Sequence, residues 1–130
     1  MNSKYIPLIG RALLSAIFLR AGVNHLTDFA GTQQAIAAQG LPLPILLAIG
    51  NVVFLLVGGL SLLLGYKTRI GTIILILFLL PTTLVFHNPI ADPAQITDFL
   101  KNFALVGALL IVNYSGPGPV SLDANTTKPR

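Results

Sequence analysis

The chain has no cysteine. That excludes disulfide exchange, a thiolate nucleophile, iron–sulfur ligation and c-type haem attachment, so any redox role must draw on a bound cofactor or a partner. Charge is scarce as well: 9% of the 130 residues are Asp, Glu, Lys or Arg, against 54% hydrophobic residues and a mean hydropathy of +0.82. A water-soluble globule of this size needs more charge than that to cover its surface, and the composition is that of a membrane protein. Glutamate is missing altogether, which leaves four aspartates as the only acidic side chains.

What the chain does have is apolar runs. A span needs about 20 mainly apolar residues to cross hydrocarbon roughly 30 Å thick, and four fit without overlap: Ile6 to Leu26, Leu43 to Leu64, Ile70 to His87 and Phe99 to Tyr114. The first run is not read as a cleaved signal, because it lacks an A-x-A site and Arg11 and Arg20 interrupt it. The fold class expected is all-α, an integral four-helix bundle. Lys4, Arg11, Lys67, Arg69, Lys128 and Arg130 lie in three segments on one side, whereas the other side holds Asp28, Asp92 and Lys101. The positive-inside rule then puts both termini in the cytoplasm, in a multi-pass protein of an inner, plasma or thylakoid-type membrane. The net charge of +4 follows from this topology and gives no support to nucleic-acid binding.

The connections carry their own signals. Phe29 to Gln39, closed by Gly40 and Pro42, fits a short interfacial helix. Gly65 to Arg69 allows only a tight antiparallel turn between spans two and three. Asp92-Pro93-Ala94-Gln95 reads as an N-cap, a proline at the first helical position and a capping-box glutamine ahead of span four. Pro81 is expected to kink span three, with Thr82 and Thr83 compensating at the Leu77 carbonyl. Small residues spaced four apart (Ala12 and Ala16, Ser61 and Gly65, Ala104 and Ala108), together with Gly58-Gly59, permit close helix approach. The chain divides into a membrane domain, 1–115, and a tail, 116–130, that reads as irregular and mobile because it has Pro, Asn and Thr but no apolar period.

Taken in order, Arg11-Ala12-Leu13-Leu14-Ser15-Ala16-Ile17-Phe18 with Ala21-Gly22, Gly40 with Pro42, Gly58-Gly59 to Leu64-Gly65 with Thr68-Arg69, and Phe99-Leu100-Lys101-Asn102 make the chain resemble the DoxX family of small four-span membrane proteins. The resemblance covers nearly the whole chain. It implies a membrane partner of oxidoreductase systems, akin to quinone-reducing subunits of thiosulfate oxidation or to components of oxidative-stress complexes. Many members carry an acidic residue just before the paired glycines of span two. Here Phe54-Leu55-Leu56-Val57 stands in that place, so a mechanism that needs the carboxylate has no residue to use.

The polar side chains able to do chemistry gather at one end of the spans: Arg20, Asn24 and His25 close span one, His87 and Asn88 close span three, and Asp98, Lys101 and Asn102 open span four. Arg20 lies about six residues, or roughly 9 Å, inside the outer end of span one, where it either anchors the helix at the interface or faces the bundle, sharing a stripe with Asn24 and Asp28. Each histidine at a helix C-terminus is explained by capping alone; two at matching depth also suit proton exchange with a quinone oxygen. No metal-ligand motif accompanies them. Asp98 with Lys101 or Arg20 forms either a helix-end lock or part of a pocket, and Phe29, Phe86, Phe99 and Phe103 form its aromatic wall.

Two functions of different kinds follow. In the first, the chain is an accessory or quinone-contacting subunit of a membrane redox system, with Arg20, Asn24, His25, His87, Asp98, Lys101 and Asn102 as candidate ligand-binding residues in an extracytoplasmic pocket, a quinone as candidate ligand and no covalently bound cofactor. In the second, it is a non-catalytic subunit that stabilises or assembles a larger membrane complex. Whether the chain is itself an enzyme stays open between them.

Overall fold

A computed structural model describes residues 3–126. Six helices run along them: α1 (Ile6–Thr27), α2 (Phe29–Ala38), α3 (Pro44–Leu64), α4 (Thr68–Phe86), α5 (Ile96–Ser115) and the short α6 (Leu122–Thr126), with single 3₁₀ turns at Ser3–Tyr5 and Pro93–Gln95. Helices α1, α3, α4 and α5 are each long and apolar enough to cross a bilayer. At 1.5 Å per residue the shortest, α4 with 19 residues, is roughly 29 Å long. These four agree with the spans expected from the sequence to within three residues at every boundary.

Local sequence explains where the helices begin and end. Pro7 sits in the first turn of α1 and Pro44 opens α3, positions where a missing N–H costs nothing. Gly65 ends α3 in the left-handed region at φ 66°, and Lys67 at φ 48° starts α4. The turn between them is held by the Ser61 hydroxyl, which donates to the carbonyls of Tyr66 (2.6 Å) and Lys67 (3.2 Å).

The principal interfaces join chain neighbours: α1 packs on α3, α3 on α4 and α4 on α5, while α2 lies against α3. Phe18, Leu55, Leu62, Leu75, Leu79, Val106 and Leu109 form the buried core, so all four long helices contribute. The paired glycines serve both sides of α3. A Cβ at Gly59 would collide with Leu19 of α1, and one at Gly58 with Leu75 of α4, so each glycine lets one neighbour approach. Of the four-spaced pairs expected to do this, Ala16 and Ala104 are exposed instead, and Gly22 makes the close approach on α1, against Leu56. The residues that matter are those facing the α3 ridge, which spacing alone does not reveal.

Helix α4 continues through Pro81 without a break. The compensation expected of the threonines is not found at Thr83, whose hydroxyl is buried without a hydrogen-bond partner. Gln95 likewise is no capping-box residue: Asp92 caps the 3₁₀ turn by accepting from Ala94 N–H at 3.1 Å, and the Gln95 amide is engaged elsewhere.

The end of the bundle that carries both termini is closed by a structure the sequence did not announce. Arg11, 2% exposed, places its guanidinium among four backbone carbonyls. It donates to Leu62 (3.0 Å) and Leu63 (3.1 Å) in the last turn of α3, and to Pro117 (2.9 Å) and Val120 (2.5 Å) in the segment after α5. Those α3 carbonyls have no intrahelical donor, so a cation is favoured there. Asp123 does the converse at the next helix, accepting from the backbone N–H groups of Lys67 (2.7 Å) and Thr68 (2.9 Å) at the start of α4. Its own N–H donates to Gly65 O at 2.8 Å. Gly116 at φ 83° and Gly118 at φ 90° turn the chain back, and Ser121 caps α6. Where the sequence suggests a tail free of the bundle, residues 117–123 are thus fastened across the ends of α3 and α4; residues 127–130 lie outside the described residues.

Candidate functional site

The opposite end, where the polar residues gather, is open. Four elements surround a cavity of about 650 Å³ there: Asn24 and His25 from α1, Gly31 to Ile36 from α2, Asn51 from α3, and Thr82, Phe86 and His87 from α4 and its cap. Helix α2 reaches this position because Asp28, directly after α1, caps it by accepting from Gly31 N–H at 3.2 Å, and because the Thr32 hydroxyl donates to the carbonyls of His25 (3.2 Å) and Asp28 (3.0 Å). Ile36, buried to 5% exposure, then seats the helix on the bundle. The interfacial helix read from the sequence therefore forms one wall of the cavity.

Both histidines face this cavity, and each is oriented in the same way. His25 Nδ1 lies 2.6 Å from Asn51 Oδ1, and His87 Nδ1 lies 2.8 Å from Gln95 Oε1. An amide oxygen only accepts, so Nδ1 carries the hydrogen in both rings and Nε2 is the nitrogen left for another partner. Such an arrangement selects one tautomer and fixes the ring. His87 has a carboxylate nearby in addition, with Asp98 Oδ2 3.8 Å from its Nδ1.

The candidate residues divide sharply. Asn24, His25 and His87 line the cavity, and Asp28 lies beside them. Arg20 does not: it is exposed, away from the bundle, and makes no ion pair with Asp28 or Asp98. At its place on α1 the inward positions are those of Phe18 and Gly22, so Arg20 takes the anchoring position at the surface. Asp98 and Lys101 form an ion pair at 3.5 Å, both about half exposed and outside the lining. Asn102 is half-buried on α5, also outside it. Of the aromatic wall only Phe86 takes part; Phe99 and Phe103 stack on one another with ring centroids 4.7 Å apart. Two residues that orient the histidines, Asn51 and Gln95, were not singled out by the sequence for this role. An amide alone in the apolar run Ile45 to Leu64 was the available signal for the first.

A second, apolar cavity of about 390 Å³ lies between α3 and α4 and shares Ile36, Asn51, Thr82 and Phe86 with the first. The two volumes fall within the range of small-molecule sites.

Comparison with known proteins agrees with this architecture. The family model DoxX matches residues 6–88, the segment that contains α1 to α4 and both histidines. The chain is 36% identical over 121 residues to the inner membrane protein YqjF of Escherichia coli, covering 89% of this chain and 88% of that protein. It is 34% identical over 122 residues to a second E. coli inner membrane protein, YphA, with 89% and 86% covered. A Surfeit locus protein 4 homolog of Drosophila melanogaster is 33% identical over 89 residues, which is 62% of this chain and 30% of that one. No solved structure matches. By the family match, the two relatives aligned along most of its length and the four membrane-crossing helices, the chain is a multi-pass integral membrane protein of the DoxX family.

Proposed function

We propose that the chain is a quinone-contacting component of a membrane redox system, with the histidine-lined cavity as its site on the extracytoplasmic side. One observation carries this reading: two histidines from different spans line one cavity, each with Nδ1 engaged by a side-chain amide, so that each presents Nε2 as the exchangeable nitrogen. A neutral imidazole in that state accepts a hydrogen bond or a proton from a quinol hydroxyl, and an imidazolium donates to a quinone carbonyl near neutral pH. Asn24 adds a neutral donor at the rim. Asp98 places a carboxylate 3.8 Å from His87 Nδ1. Of the residues first considered, Arg20, Lys101 and Asn102 have no part in the site.

The test uses the small number of histidines. With only two in the chain, labelled imidazoles give two sets of nuclear magnetic resonance signals in lipid nanodiscs. A soluble quinone is expected to shift both sets together, and His25→Gln to weaken binding; signals that do not respond to any quinone refute the reading.

The second reading, a non-catalytic subunit of a larger complex, draws on the Asp98–Lys101 pair, which stands about half exposed on α5 outside the cavity. Under it, His87→Gln leaves quinone response irrelevant and instead releases partners from the complex isolated in mild detergent.

A further inference from the structure

We infer that the ligand of the histidine-lined cavity carries a long hydrocarbon chain, as a prenyl quinone does, and that this chain lies in the apolar groove between α3 and α4; the inference rests on the quinone reading above. The groove and the cavity adjoin at Asn51, Thr82, Phe86 and Ile36, which line both. Polarity falls along a single path: imidazoles and Asp28 at the far end, one amide and one hydroxyl at the junction, and hydrocarbon beyond. Leu46, Leu47 and Phe54 of α3 and Leu77, Pro81 and Val85 of α4 wall the groove, and all six are exposed on the side where a bilayer lies. A chain entering from the lipid therefore reaches its seat sideways, without crossing water.

Charge separates this occupant from a phospholipid. The cavity lining includes the Asp28 carboxylate and no lysine or arginine, so a phosphate headgroup meets repulsion there, whereas a neutral quinone ring meets hydrogen-bonding groups. The groove's contribution to binding is modest, because surrounding lipid is as apolar as leucine; it comes from packing and from holding the ring at the histidines.

Gly50 allows the groove to be filled without touching the cavity. It lines the groove alone, and a Cβ built on it meets nothing within 4 Å. Gly50→Phe therefore puts a ring where the chain is expected, and it replaces a helix-interior glycine by a better helix former. Two ubiquinones, one without an isoprenoid chain and one with several units, are titrated into nanodiscs containing the histidine-labelled protein. Each probe is compared between wild type and variant, so that its partition into lipid cancels.

Both probes are expected to shift the two imidazole sets in the wild type, with Gly50→Phe weakening the long-chain probe by about threefold and leaving the chain-free one unchanged. Val85→Phe, from the opposite wall, is expected to do the same and serves if Gly50→Phe fails to fold. If both probes bind the variants as they bind the wild type, or both weaken equally, the chain does not occupy the groove, though the quinone reading stands. If neither probe moves the signals of the wild type, the quinone reading fails and this inference with it.

Discussion

The two ends of the bundle handle their polar groups in opposite ways. At the end holding the termini, one arginine and one aspartate satisfy backbone groups: the guanidinium takes four carbonyls and the carboxylate takes two N–H groups, all within a buried lock. At the other end the side chains bond one another, imidazole to amide, and each ring keeps a nitrogen in reserve beside a cavity. Under the proposed function, stability and binding are in this way assigned to different ends. A group saturated by main chain rigidifies and has nothing left to offer a ligand, whereas a half-saturated, oriented group is what a ligand site requires.

The largest expected effect comes from breaking the lock. Arg11→Ala leaves buried carbonyls without a donor and is expected to cost about 3 kcal/mol, read as a lowered unfolding midpoint in detergent. Truncation after Ser115 removes Pro117 and Val120 and Asp123 together and should be of similar size, with the two changes combined costing less than their sum, since they share partners. Additive losses would show that the tail and Arg11 act separately. Asp123→Asn retains shape but weakens the cap of α4, at about 1 kcal/mol.

Changes at the open end are expected to move stability less and binding more. Asn51→Leu frees His25 Nδ1, and the His25 imidazole signals should then show both tautomers, with the melting temperature lowered only slightly. A large loss of stability would mean that this end is structural as well. The smallest effect belongs to Arg20→Gln: as an exposed side chain without an ion pair, it should change stability by less than about 0.5 kcal/mol and quinone binding not at all.

The spans and the family were legible because hydrocarbon demands apolar runs of fixed length, and Gly65, Pro44 and Pro7 mark their ends by backbone chemistry visible in the letters. His25 and His87 were legible as a pair because they close spans one and three, which run in the same direction through the bundle and so end on the same side. Arg20 was misplaced because a stripe of residues gives spacing but not its rotation relative to the core, and one position of drift turns an inward side chain outward. Asn51 bonds a residue 26 positions away, and Gln95 resembles a capping residue until His87 is seen beside it. The folded-back tail was hard to see in the pattern, since Arg11 binds its main-chain carbonyls, which every residue possesses, and Asp123 meets backbone N–H groups of distant residues.

The lock also imposes an order on biogenesis. Arg11 is made well before two of its acceptors, which lie 106 and 109 positions downstream. Until then its guanidinium has only the α3 carbonyls to turn to, and the nascent protein remains incomplete at that end. Emergence of residues 117–120 is thus what completes this contact, and a chain cut before them carries a buried, half-satisfied cation as its own mark of failure.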